Sequence, residues 1–175
     1  NRFTRAGYTF DGWNTKQDGS GTLYSNGEYI YNAVNPGETL DLYAQWTPNT
    51  YHVYFSANGG SGGDERQFTY DQAQKLPTPE EVGISNNYYV KFMGWNTKDD
   101  GTGTSYQAGQ SVKNLTTEQD GYVTLYAVWK QIHTVYFNAP DAVPAYHEEQ
   151  QVVDGDTAKK PADPTRPGFV FRGWT

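Results

Sequence analysis

Gly7-Tyr8-Thr9-Phe10-Asp11-Gly12-Trp13-Asn14-Thr15-Lys16 recurs as Tyr89-Val90-Lys91-Phe92-Met93-Gly94-Trp95-Asn96-Thr97-Lys98, and its start returns as Gly168-Phe169-Val170-Phe171-Arg172-Gly173-Trp174. The steps from Trp13 to Trp95 and from Trp95 to Trp174 set a period of about 80 residues, the mark of successive copies of one structural unit. Working outward, Leu40-Asp41-Leu42-Tyr43-Ala44-Gln45-Trp46 matches Val123-Thr124-Leu125-Tyr126-Ala127-Val128-Trp129. Behind each comes a third block, Val53-Tyr54-Phe55-Ser56-Ala57-Asn58 and then Val135-Tyr136-Phe137-Asn138-Ala139-Pro140. The order of blocks within a period is therefore fixed.

The blocks read as strands. Leu40, Leu42, Ala44 and Trp46 alternate with Asp41, Tyr43 and Gln45, and successive strand side chains point to opposite faces, so the first set shares one face. Val123, Leu125, Ala127 and Trp129 repeat that arrangement, and Tyr51, Val53 and Phe55 oppose His52 and Tyr54. In the Gly-Trp segment Tyr8 and Phe10 share a face but Trp13 has the opposite parity. A bulge at Gly12, with Gly94 and Gly173 in matching places, returns the indole to the core. Asn58-Gly59-Gly60, Asn26-Gly27 and Asp18-Gly19-Ser20-Gly21 are turn sequences. Only Tyr70 to Leu76, stopped by Pro77 and Pro79, has helical character.

These motifs resemble the Listeria–Bacteroides repeat family, the type found as B-repeats of internalin-like bacterial surface proteins: a V-x-F strand, a K-P-x-x-P-x-x-x-G-Y-x-F-x-G-W block and a closing L-Y-A-x-W strand. Lys160-Pro161-Ala162-Asp163-Pro164-Thr165-Arg166-Pro167-Gly168-Phe169 matches the middle block. In that phase residues 1–47 are the C-terminal half of one repeat, 48–130 a complete repeat and 131–175 the N-terminal half of a third. A rival phase takes 14–95 and 96–174 as the units. The resemblance implies a mainly β chain of tandem small β-grasp-like domains, with mixed sheets, short or absent helices, and first and last strands side by side and parallel. Between Pro79 and Tyr89 the chain departs from the pattern, and a longer loop is expected there.

Composition agrees with many short strands: 35% hydrophobic residues with 16% aromatic, and 19 Gly and 9 Pro spread along 175 residues. Mean hydropathy is −0.83, so burial rests on the rings. A net charge of −7 with scattered Lys and Arg argues against nucleic acid and anionic membranes. No apolar run approaches the roughly twenty residues of a membrane helix. The absence of Cys excludes disulfides and thiolate metal sites. With neither a signal peptide nor an initiator Met at its start, the chain is read as a fragment of a longer protein.

No residue pattern here points to catalysis. Glu80-Glu81 and Glu148-Glu149 are adjacent, and in an extended chain they face opposite ways, so neither pair flanks a glycosidic bond. His52, His133 and His147 lack matching ligands, and no Ser-His-Asp arrangement is present. Asp18-Gly19-Ser20-Gly21 and Asp99-Asp100-Gly101-Thr102-Gly103 share the acid and glycine pattern of calcium loops but lack the later bidentate acid, and are read as turns. No metal and no cofactor is expected. The side chains with most binding potential are the outward Tyr43, Tyr54, Tyr126 and Tyr136, with His52 beside them. Such rings could stack sugars or meet a partner, against the plainer reading that they cover the sheet. Trp13, Trp46, Trp95, Trp129 and Trp174 are read as core.

The expectation is a non-enzymatic spacer or adhesion module of a bacterial secreted or cell-wall-attached surface protein. Its partners would be neighbouring repeats and host or cell-surface protein or glycan, with head-to-tail self-association through the half repeats. The alternative is a carbohydrate-binding accessory module of a secreted glycoside hydrolase.

Overall fold

The computed structural model describes residues 2–31 and 33–175. Among these residues eleven strands follow in chain order: β1 (Tyr8–Asn14), β2 (Leu23–Tyr24), β3 (Tyr43–Pro48), β4 (Thr50–Ser56), β5 (Gly63–Thr69), β6 (Gln74–Lys75), β7 (Val90–Asn96), β8 (Ser105–Tyr106), β9 (Ser111–Val112), β10 (Gly121–Ala139) and β11 (Tyr146–Val153). The chain is mainly β with mixed sheets.

The central sheet has the order β5-β4-β10-β7-β8, with β11 paired to the far end of β10. β4 and β10 are parallel, Val53 opposite Val123 and Phe55 opposite Leu125; β7 joins β10 antiparallel from the other side. The closing strand thus runs between the opening strand and the Gly-Trp strand, the β-grasp-like arrangement that the resemblance implies. Inward positions of β4 alternate as the sequence indicates. Tyr51, Val53 and Phe55 are buried with Phe68, Leu76, Val82, Ile84, Trp95, Val112, Leu125 and Ala127. Each large apolar side chain so buried contributes roughly 1.5–3 kcal/mol. Trp95 lies at the centre, fully buried, with Phe55 and Phe92 edge-on to it at 4.9 and 5.1 Å and its indole N–H donating to the Pro77 carbonyl at 2.9 Å.

The bulge is where the parity argument puts it. In β1 the register shifts between Phe10 and Gly12, and β7 repeats the shift against β10. Gly12 and Gly94 have φ of 155° and 140°, and a Cβ on either would stand 2.6 Å from the carbonyl oxygen of Tyr24 or Tyr106. Glycine is thus required for both conformation and space.

Three expectations need correction. Tyr70–Leu76 is not helical: Asp71 takes a left-handed φ of 61°, and Gln74–Lys75 pairs antiparallel with Ser111–Val112, so strand pairing overrides a short helical preference. Among the described residues the helical element is instead a 3-10 turn at Glu80–Val82. Glu80 and Glu81 are therefore not extended, and Glu81 accepts from the Thr78 amide at 2.8 Å while its own amide donates to Thr78 Oγ1 at 3.4 Å. Finally, of the five tryptophans only Trp95 is fully buried; Trp13, Trp46, Trp129 and Trp174 are half-buried. Trp129 sits where the central sheet runs out, and the other three lie in the flanking segments, which lack part of the strand set that encloses Trp95.

The segments join without linkers. β3 leads into β4 through one residue, Asn49, itself nearly fully buried. Its amide donates to Gly7 O (2.8 Å), its carbonyl accepts from Tyr70 N (2.8 Å), its Oδ1 accepts from Thr9 Oγ1 (2.8 Å) and its Nδ2 donates to Thr117 O (2.7 Å). At the second junction the chain is one residue shorter between Trp and the V-x-F block, and β10 passes through unbroken for 19 residues, about 60 Å of strand. The backbone bonds recur there: Tyr89 O accepts from Ile132 N at 2.6 Å and Gln131 O from Asp154 N at 2.8 Å. Tyr89 thus performs the carbonyl role of Gly7 without being glycine.

Candidate functional site: an outward aromatic face

The even-numbered residues of β10 and the outward residues of β4 share the solvent side of the central sheet. His52 is registered against Tyr122, and Tyr54 against Thr124; on the other edge of β4, His52 lies opposite Gln67 and Tyr54 opposite Glu65. The His52 and Tyr122 rings stack at 4.9 Å with 15° between planes, and His52 Nδ1 lies 2.7 Å from Glu65 Oε1. Tyr54 is 41% and Tyr122 71% exposed. The result is a stacked His52–Tyr122 pair with the exposed Tyr54 on the same face of the sheet and the Glu65 carboxylate beside the imidazole. Such a surface can stack an apolar ring face while accepting hydrogen bonds at its edge.

The predicted residues do not form one site. His52 and Tyr54 are neighbours on the outward face of β4. Tyr126, registered between Ser56 and Asn96, is half-buried. Its counterpart Tyr43 lies in the three-stranded sheet, opposite Asn14 and, among the described residues, with no strand on the other edge, and is 39% exposed. Tyr136 stacks on His147 at 5.7 Å, ten residues or about 33 Å further along β10 than Tyr126. Sequence reasoning missed Tyr122, since its position in the other copy is Thr39 and only the parallel register brings it beside His52. It also missed Tyr88 and Tyr89, exposed rings 4.0 Å apart.

The acids serve local structure. Asp18 Oδ1 accepts from Ser20 N at 3.0 Å and Asp100 Oδ1 from Thr102 N at 2.9 Å, and these amide donors hold both carboxyls below the ordinary value of 3.8. Glu148 and Glu149 fall on opposite faces of β11, and Tyr146 donates to Glu148. The turn itself is pinned by a residue that sequence reasoning passed over. Buried Asn96 accepts from Lys98 N (2.9 Å) and Gly103 N (3.0 Å) while donating to Gly101 O (3.0 Å). Asn14 repeats the arrangement with Lys16, Gly21 and Gly19.

Among the described residues no helix is long and apolar enough to cross a membrane, and no group of three or more potential ligands is gathered for a metal. No solved structure matches the chain significantly. Two relatives from Evansella cellulosilytica are similar to it. One, named "Putative Gly-rich membrane protein", is 33% identical over 174 residues, which is 98% of this chain and 19% of the relative. The other, named "Putative membrane protein", is 34% identical over 95 residues, 53% of this chain and 13% of that protein. The chain thus spans about a fifth or less of these relatives. The model of the Listeria-Bacteroides repeat domain matches residues 1–45, 51–128 and 133–175. The repeat order, the bulged Gly-Trp strand and this match together make the chain a member of the Listeria-Bacteroides repeat domain family.

Proposed function

We propose that the chain is a non-catalytic spacer built from copies of one small sheet domain, of which residues 48–130 are the complete unit, and that it extends other parts of a bacterial surface protein away from the cell. The carrying observation is the mode of connection: β10 runs unbroken from one copy into the next, and buried Asn49 hydrogen-bonds on both sides of the other junction. A linker-free array turns repeat number into length, because each unit contacts chiefly its neighbours. The names of the two relatives support attachment to a membrane-associated protein.

Small-angle scattering extrapolated to infinite dilution tests the spacer. A compact chain of this length has a radius of gyration of about 16 Å; a value well above that is expected, and a value at or near it would refute an extended array.

Exposed Tyr54 and Tyr122, with half-buried His52 stacked on Tyr122, support a second reading, adhesion to or accessory binding of glycans. Glycan-array binding that is lost in both Tyr54→Ala and Tyr122→Ala, with unchanged melting, would favour it. A silent array would leave the spacer alone.

A further inference from the structure

We propose that the outer edge of β5 is a strand-pairing surface for the same edge of a second copy of this chain, and that the side-chain amide of Gln74 keeps it closed. β5 is the outermost strand of the central sheet on its side and lies wholly inside the central unit, with chain before and after it. In an antiparallel pair alternate residues of an edge strand turn their N–H and C=O groups away from the partner, and such a row is a template for a further strand. In β5 these are the odd-numbered residues, because Glu65 N, Gln67 O and Thr69 N all bond to groups outside β4.

The chain's own side chains meet each of those groups. Gln74 Oε1 accepts from Thr69 N at 2.8 Å, and its Nε2 donates to Gln67 O at 3.3 Å. A glutamine amide offers an acceptor and donors side by side, so it stands in for one residue of an added strand. Glu65 N donates to Asp64 Oδ1 at 2.8 Å. Where the edge begins, Ser61 and Ser85 exchange both backbone bonds, at 2.8 and 3.0 Å, and Arg66 Nη2 donates to Glu81 O at 2.9 Å. Gln74 itself is fixed by its pairing with Val112, and the turn in which Gln72 N donates to Thr69 O at 3.2 Å brings it back alongside β5. In β11, the counterpart of β5 in the next copy, a glutamine amide again ties the strand to the segment that follows it: Lys159 N donates to Gln150 Oε1 and Gln150 Nε2 donates to Lys159 O, both at 2.7 Å.

Without its plug the edge is complementary to itself. An antiparallel register centred on Arg66 sets Glu65 of one copy against Gln67 of the other, with their outward N–H and C=O groups facing. Each Arg66 then has Asp64 of the other copy diagonal to it on the same face, a reachable pair of opposite charges. Tandem repeats hold such edges at high local concentration, where pairing between them fuses units into aggregates.

Sedimentation equilibrium of the full chain and its variants over a wide concentration range, with melting followed in parallel, tests the proposal. Gln74→Ala frees two groups that a second strand satisfies, and is expected to self-associate at least about tenfold more tightly than the wild type. Gln74→Glu keeps the acceptor for Thr69 N but loses the donor to Gln67 O, so it should fall between the two, and it carries the test should Gln74→Ala fail to fold. Glu65→Pro removes an N–H that the ladder with β4 does not use and obstructs strand addition from outside. Added to either Gln74 variant it should restore the wild-type value. Gln74 variants that associate no more tightly than the wild type, or whose association survives Glu65→Pro, would overturn the proposal. Scattering of the wild-type chain tests the spacer separately from either result.

Discussion

Asn96 and Gly94 show how single positions set the unit. Asn96 is wholly buried and satisfies two amides and a carbonyl of the turn that follows. Its replacement by Ala strands those groups, each costing about 1–3 kcal/mol where buried and less where water reaches it. Urea unfolding of Asn96→Ala is expected to show a loss of about 2–3 kcal/mol, with Asp100→Ala, which sits in the exposed part of the same turn, losing less than about 1 kcal/mol. At Gly94 a Cβ meets a backbone oxygen that cannot move without breaking the pairing of β7 with β8. Gly94→Ala should cost on the order of 2 kcal/mol or more. Gly27→Ala, left-handed but with open space around it, should cost only about 1–2 kcal/mol.

At the scale of elements the informative feature is the first junction. Tyr8 donates to Asp71 Oδ2 at 2.7 Å, Asn114 Nδ2 to Asp71 Oδ1 at 2.8 Å, and the Tyr8 and Tyr70 rings meet edge to face at 5.7 Å. Hydrogen bonds from Asn114 and then Tyr8 hold the Asp71 carboxyl below 3.8, and the bond to Asp71 raises the Tyr8 phenol above 10.0. A depressed carboxyl stabilises the junction above its ordinary pKa, and that contribution is lost as pH falls through the folded value. A raised phenol stabilises below its ordinary pKa and loses its contribution as pH rises through the folded value. The junction is therefore tightest between those limits. Relaxation-derived tumbling of the β1 and β3 segment should match that of the central unit at pH 7 and become independent of it in acid. Asp71→Ala should loosen it at pH 7 and abolish its further loosening in acid. Tumbling insensitive to both changes would show that Asn49 alone fixes the joint.

In the whole molecule stability is unevenly placed. The fully buried hydrophobic residues lie between Tyr51 and Ala127, while the flanking segments hold only edge-on clusters such as Phe10, Trp13 and Trp46 or Phe137, Phe171 and Trp174. Opening free energies span from near zero to the global value in proportion to such burial. Hydrogen exchange at low concentration should therefore protect β4, β7 and the first part of β10 strongly and 158–175 hardly at all. Uniform protection across the chain would mean that the segments stabilise one another more than their packing indicates.

Alternation and the recurring Gly-Trp and Leu-Tyr-Ala-x-Trp blocks determined the strands, the inward set Tyr51, Val53 and Phe55, the bulge and the family, because side-chain parity and the glycine requirement are local properties of the chain. Only the tertiary structure decided the parallel neighbour of each strand. Through that came the pairing of Tyr122 with His52, the half-burial of four of the tryptophans, and the conversion of Tyr70–Leu76 from helix former to turn and strand. Register between strands about seventy residues apart depends on the summed packing of both faces, and no short stretch of sequence carries that sum.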